Sequence, residues 1–306
     1  MTDNRLSGTV LRARGGVYEV ETPDAVIEAS LRGRLKREER TGERVVAGDR
    51  VEIAEAAGDW TIEKVHDRRT ALLRKAPGKA PRPKVIVANV DLVLIVFAVA
   101  RPEPHLRMLD RFLVLCEASG LDALVVANKV DLVGEAAARS TFGLYEEIGY
   151  PVLYTSVKQN LGIDALRERL CGSTAALSGP SGVGKSSLLN SVQPGLALRV
   201  ASISDAVQKG RHTTVTAQLI PLECGGYVAD TPGLRELGLW GIAEEDMGGL
   251  FPEFRPHMGS CRYGNSCTHT HEPACAVKDA VQSGEIPAPR YDSYCRMMAD
   301  EVPEEF

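Results

Sequence analysis

The densest chemistry in the chain is Gly179-Pro180-Ser181-Gly182-Val183-Gly184-Lys185-Ser186, with Ser187 next along. It follows an apolar run, Ala175 to Leu177, and opens a helical pattern at Lys185, the context a phosphate-binding loop requires. The glycines let successive N–H groups face a phosphate, and the helix N-terminus adds partial positive charge. Lys185 is placed to reach the outer phosphates and Ser186 to ligate magnesium. Asp230-Thr231-Pro232-Gly233 ends a second apolar run, Tyr227 to Ala229. A carboxylate there holds magnesium, usually through water, and the Gly233 N–H can sense the terminal phosphate.

Asn128-Lys129-Val130-Asp131, after the run Ala123 to Ala127, carries the chemistry of base selection. A carboxylate at Asp131 accepts from both the ring N–H and the exocyclic amine of guanine. Adenine offers no such pair on that edge, and leaving buried donors or acceptors unmatched is costly. Asn128 can tie this loop to the phosphate loop, and the Lys129 stem can cover the base. Thr155-Ser156-Val157-Lys158 is a weaker signal, either a main-chain support for the base or a plain loop. Between the phosphate loop and Asp230 lies Lys209-Gly210-Arg211-His212-Thr213-Thr214. A switch there needs a hydroxyl for magnesium, which either Thr213 or Thr214 supplies. His212 either orients the attacking water or is a solvated loop histidine. After Gly233 come Leu234, Arg235 and Glu236, with no glutamine of the water-orienting kind found in Ras-type GTPases. Slow hydrolysis by the isolated protein is therefore expected.

A second constellation is Cys261-x5-Cys267-x-His269-x5-Cys275. Three thiolates and an imidazole suit tetrahedral structural zinc, with no open position for catalysis. His271 is the rival to His269. The other cysteines, Cys116, Cys171, Cys224 and Cys295, are scattered, and an odd total of 7 argues against a disulfide framework. A reducing cytoplasm with one metal site is the expected setting.

These groups need elements to hold them. The 306 residues, 44% hydrophobic and 25% charged, suffice for two or three domains with real cores. Residues up to about 75 read as short strands, Gly8–Leu11, Val17–Val20, Ala25–Leu31, Arg50–Ile53 and Trp60–Val65, broken by glycine turns. That pattern predicts a small β-barrel, most simply an OB-fold, with Trp60 in its core. Ala76 to Pro83, with three prolines, is a linker. Residues 85–248 alternate strand and helix: Leu92–Val99, helix Leu106–Ser119, then strands at Ala123, Val152, Ala175 and Tyr227. This predicts an α/β doubly wound sheet with its ligand at the carboxyl ends of the strands. Residues 249–306 form the cysteine- and histidine-rich module, with a helix near Tyr291–Ala299. Met1 to Arg14 is polar, and the apolar run Leu92 to Ala100 is far short of the ~20 residues of a membrane helix, so no membrane association is expected. The net charge of -5 is no polycation. Local basic groups stand out instead: Arg32, Arg34, Lys36, Arg37 and Arg40 in the barrel, and Arg74, Lys75, Lys79, Arg82 and Lys84 around the linker. They suit RNA phosphates or a solvated face equally.

The order of the nucleotide elements is permuted, since the base-reading loop precedes the phosphate loop. This order, the small barrel, Gly210-Arg211-His212-Thr213-Thr214 and the C-terminal cluster together resemble the ribosome small-subunit-dependent GTPase A (RsgA) family over nearly the whole chain. Val85–Asp91 and Leu109-Asp110-Arg111-Phe112-Leu113 are further family-like stretches. The resemblance implies a bacterial cytoplasmic GTPase, monomeric, that binds GTP and GDP with magnesium and acts late in 30S maturation. It implies hydrolysis stimulated by the subunit, 16S rRNA contacts through the barrel and zinc modules, and a role in hydrolysis for His212. It also favours His269 over His271 at zinc, because the family's Cys-x-His matches Cys267-Thr268-His269. The Arg262–Ser266 loop is one residue longer than the family's usual spacing. The competing readings are a zinc-dependent RNA-binding scaffold and, disfavoured by Asn128 to Asp131, an ATP-dependent kinase or helicase.

Overall fold

The computed structural model describes residues 5–33, 35, 44–56, 58–74, 84–196, 217–230 and 242–299, with backbone alone at Arg74, Lys84 and Asp230. Its residues group into two compact units, and the division falls inside single strands and loops rather than between sequence blocks.

In the first unit, β1 (Arg5–Arg14), β2 (Val17–Glu21), β3 (Val26–Leu31), β4 (Arg50–Ala56) and β5 (Asp59–Val65) form a barrel in the order β1-β2-β3-β5-β4, closed by β1–β4 pairing. The parallel β3–β5 contact among antiparallel neighbours is OB-fold topology. Alternation explains it: Val51 and Ile53 of β4 point inward and are fully buried with Val10, Val20 and Ile62. Half-buried Trp60 packs against that core. Two strands not anticipated, β6 (Ala71–Arg74) and β7 (Lys84–Ala88), pair antiparallel on either side of residues 75–83. Ala-Leu-Leu-Arg is too short to show a period alone. Its partner lies beyond the proline stretch, which itself falls outside the described residues.

The first unit also holds α3 (Ile163–Leu170), β11 (Thr174–Ser178), α4 (Lys185–Val192), β12 (Gln218–Pro221) and β13 (Tyr227–Asp230). β11 and β13 run parallel, so Ser178 and Asp230 close neighbouring strands at the same end. One contact departs from the cysteine expectation: Cys171 and Cys224 form a disulfide across 53 residues of sequence. The β12–β13 turn packs on the α3–β11 connection and brings the two together, which spacing alone cannot show.

The second unit contains the rest of β8 (Leu92–Ala98), α1 (Leu106–Ser119), β9 (Asp122–Asn128), α2 (Glu135–Glu147) and β10 (Val152–Thr155). β8 is buried from Val93 onward, as expected of a strand covered on both faces. β9 and β10 are parallel, with Asn128 opposite Thr155 at their carboxyl ends. The same unit includes residues 242–299, with the single turn α5 (Glu244–Met247) and helices α6 (Ala276–Ser283) and α7 (Ala288–Met298). No helix among the described residues is long and apolar enough to cross a membrane.

The C-terminal module shares its core with α1: Val114 packs with Phe251, Phe254, Val277 and Tyr294. A buried charge network reinforces that seam. Arg290 of α7 donates from Nη1 to Asp110 Oδ1 at 2.7 Å and from Nε to Glu253 Oε1 at 2.7 Å, while lying over the Phe251 ring. Tyr145 and Ser293 donate to Asp110 as well. Burial pulls the Arg290 guanidinium down, but Asp110 and Glu253 outweigh it and hold it fully protonated. Removing Arg290 leaves two carboxylates buried without their cation, a change that costs about 3–5 kcal/mol. Arg290→Met is therefore expected to unfold the C-terminal module at lower urea concentration. A loss below about 1 kcal/mol, the scale of an exposed pair, would show the network to be incidental.

Candidate functional site

The carboxyl end of β9 is built for fixed contacts. Asn128 is buried, and both ends of its amide are engaged. Thr155 Oγ1 donates to Asn128 Oδ1 at 2.9 Å, and Asn128 Nδ2 donates to the Val183 carbonyl at 2.9 Å. The second bond joins the loop after β9 to the glycine-rich loop of residues 179–184 across 55 residues of sequence. Lys129 takes a left-handed conformation (φ 66°), which turns the chain into the single 3-10 turn Val130–Leu132. Its Nζ donates to the Gly182 carbonyl at 2.7 Å and also to the Arg101 carbonyl. Its stem thus crosses toward the phosphate loop.

Asp131 is half-buried, and Ser156 Oγ donates to its Oδ1 at 2.6 Å. Ser156 is fully buried and held by reciprocal main-chain bonds with Leu161, at 3.0 and 2.9 Å. The weakest sequence signal therefore lies in contact with the Asp131 carboxylate. Val157 and Lys158 are exposed on the same loop. Thr155 as an Asn128 partner was not foreseen. The one sequence clue to it was a hydroxyl at the end of a buried strand.

The phosphate loop approaches β8 too closely for any side chain at its first position. A Cβ on Gly179 would lie 2.1 Å from the Val96 carbonyl oxygen, and its φ is +125°. Only glycine satisfies both conditions. Gly182 and Gly184 also take positive φ, and Gly184 leads into α4 with Lys185, Ser186 and Ser187 in its first turn. Val183 is buried. A glycine-rich turn running straight into a helix N-terminus is a sequence of elements that suits an anion. Asp230 ends β13 as the alternation required. His212, Thr213, Thr214, Gly233 and Leu234 to Glu236 lie outside the described residues, as do Arg34, Lys36, Arg37, Arg40, Lys75, Lys79 and Arg82.

In the C-terminal module the donor atoms of Cys261, Cys267, His269 and Cys275 all lie within 4.8 Å of one another, and all four residues are buried. Cys261 Sγ is 3.8 Å from Cys275 Sγ, and His269 Nδ1 is 3.5 and 3.4 Å from the two sulfurs. Zinc at about 2.3 Å from sulfur and about 2.0–2.1 Å from nitrogen sets tetrahedral edges of about 3.8 and 3.6 Å. The cluster fits that ion through Nδ1. His271 is exposed and bonded to Thr270 instead. Tyr291 donates to the His269 carbonyl at 2.8 Å, and Tyr294 to that of Thr268. Glu272 accepts from the Thr268 and Thr270 main chain at 2.8 and 3.1 Å, bracing the turn around His269. Burial pushes the Cys267 thiol up to about 12. A bound divalent cation reverses that preference and holds thiolate.

Comparison with known proteins gives two family models, the RsgA N-terminal domain over residues 7–59 and the RsgA GTPase over residues 65–240. The chain is 50% identical to the small ribosomal subunit biogenesis GTPase RsgA of Gemmatimonas aurantiaca, covering 95% of this chain and 96% of that one. It is 44% identical to the Moorella thermoacetica protein of the same name, covering 98% and 99%. Among solved structures, YjeQ from Thermotoga maritima matches with a TM-score of 0.79 at 35% identity, covering 98% of this chain and all of that one. YloQ, described as a circularly permuted GTPase, matches with 0.74 at 31% identity, covering 99% and 98%.

Proposed function

This chain belongs to the RsgA GTPase family, and from that premise we propose that it binds the 30S ribosomal subunit late in its maturation and there hydrolyses GTP to GDP and phosphate. The observation that carries the reading is the Asn128–Val183 hydrogen bond, which ties residues 128–131 to the glycine-rich loop.

In this reading Asp131 accepts from the guanine N–H and amine, with Ser156 orienting the carboxylate and Lys129 flanking the base. Val157 and Lys158 complete the loop behind it. The N–H groups from Gly179 to Ser187 cradle the phosphates, and Lys185 balances charge on the outer ones as the bond to the terminal phosphoryl breaks. Magnesium, when bound, neutralises phosphate charge. Ser186, Asp230 and either Thr213 or Thr214 would hold it, a hydroxyl and carboxylate set suited to a hard cation. Gly233 follows Asp230 as the terminal-phosphate sensor, and His212 orients water. The domain assignment is a barrel over 1–75, a linker over 76–84, a permuted GTPase domain over 85–248 and a zinc domain over 249–306. Cys261, Cys267, His269 and Cys275 hold one structural zinc. The barrel and zinc domain contact 16S rRNA, and the protein works as a monomer in the cytoplasm.

Steady-state GTP turnover with and without purified 30S subunits tests the proposal. Stimulation well above about tenfold is expected, because a partner that completes an incomplete site contributes up to ~10^5-fold in the best-studied case. Turnover unchanged by subunits would favour the RNA-binding scaffold. His212→Ala is expected to lower stimulated turnover by about 10^2-fold, the lower range of proton-transfer or water-orienting groups, with nucleotide affinity unchanged. Full stimulated turnover in that variant would remove His212 from the mechanism.

A further inference from the structure

Cys171 follows the last turn of α3, and Cys224 sits in the β12–β13 turn. Cys224 is exposed and Cys171 half-exposed, so small thiols reach the bridge. The main chain holds the two segments together independently of sulfur. Gly172 N–H donates to the Gly225 carbonyl and Tyr227 N–H to the Ser173 carbonyl, both at 2.8 Å. A Cβ on Gly226 would lie 2.5 Å from the Ser173 carbonyl oxygen. With a Cα–Cα distance of 5.3 Å, two thiols here stay within bonding reach after reduction. Such a pair closes and opens with little backbone movement, and an exposed bridge is the labile kind.

We propose that Cys171 and Cys224 form a reversible dithiol–disulfide site that responds to low-molecular-weight disulfides of the glutathione class. The Cys224 thiolate attacks one sulfur of the oxidant, releasing one small thiol and forming a mixed disulfide. The Cys171 thiolate then attacks the Cys224 sulfur and expels the second small thiol. The protein loses two protons and two electrons in all, and one oxidant disulfide takes them up to become two thiols. The bridge pins the turn of a hairpin whose second strand ends at Asp230, four residues from the turn. Oxidation therefore restrains the strand pair that carries the proposed magnesium carboxylate. This effect on turnover rests on the proposed GTPase function, whereas bridge formation does not.

The full-length protein is equilibrated in glutathione buffers of graded oxidised-to-reduced ratio, quenched with an alkylating reagent and mapped by mass spectrometry. Cys171 and Cys224 should lose alkylation together as the ratio rises. Amide exchange of residues 218–230 should slow by about tenfold in the oxidised form, as for a segment whose local opening is restrained. Subunit-stimulated turnover should fall by about threefold, within the range of coupling through a packed element. The Cys171→Ser/Cys224→Ser variant should show none of these responses. Persistent alkylation of both cysteines at every ratio overturns the site, as does equal amide exchange in the two forms. If subunits stimulate neither form, the GTPase reading fails, while alkylation and exchange still decide the redox site.

Discussion

Asp131→Asn should lose guanine nucleotides and gain xanthine nucleotides. The Asp131 carboxylate is placed at the end of β9 by the left-handed Lys129 and oriented by the Ser156 hydroxyl. Two charge-assisted hydrogen bonds to guanine are each worth about 1.5–3 kcal/mol. Their loss predicts GTP affinity weaker by about 10^2- to 10^4-fold. An asparagine amide presents an acceptor to the xanthine ring N–H and a donor to its 2-carbonyl, so xanthosine triphosphate should bind better than GTP. The Ser156 contact survives because one oxygen remains to accept it. Competition of the two nucleotides against a fluorescent analogue measures the outcome. Undiminished preference for GTP would remove Asp131 from base reading.

Stripping zinc should have an effect of comparable size, on folding rather than binding. The module's core is small, and three of its buried members are the thiols Cys261, Cys267 and Cys275. Structural zinc contributes about 10–16 kcal/mol of apparent binding energy in small domains, and that energy is folding energy. Cys275 also sits at the N-cap of α6, where the helix end favours a thiolate. Chelation, or Cys275→Ser, should therefore open residues 249–299 to protease. Because Val114 of α1 lies in the same core, cleavage should extend to α1. Nucleotide-free protein keeps magnesium out of the comparison. A chelated protein as protease-resistant as the untreated one would contradict a structural metal.

Much of the architecture was legible because strong local patterns agreed with one another. The apolar run of β8, the helical spacing of α1 and the alternation in β4 each carry a period long enough to read. The cluster of Cys261, Cys267, His269 and Cys275 was legible from residue type and spacing, with His269 rather than His271 in it from the Cys-x-His match. The β6–β7 pair was not, since its partners are separated by a proline-rich stretch. The Cys171–Cys224 bridge and the Arg290–Asp110–Glu253 network were equally hidden. Each joins residues far apart in sequence, and nothing in the local pattern around them marks the partner. Leu109–Leu113 stood out as a stretch, but its reason, a buried carboxylate receiving Arg290, needed the fold.

The central claim is that one nucleotide is held at its base by residues 128–131 and at its phosphates by residues 179–187. Hydrogen exchange of the protein with and without a non-hydrolysable GTP analogue tests it most directly. The account predicts simultaneous slowing of exchange in both segments and in the Ser156–Leu161 loop, saturating at the same ligand concentration. Protection confined to the phosphate loop, with residues 128–131 exchanging as in the free protein, would contradict it.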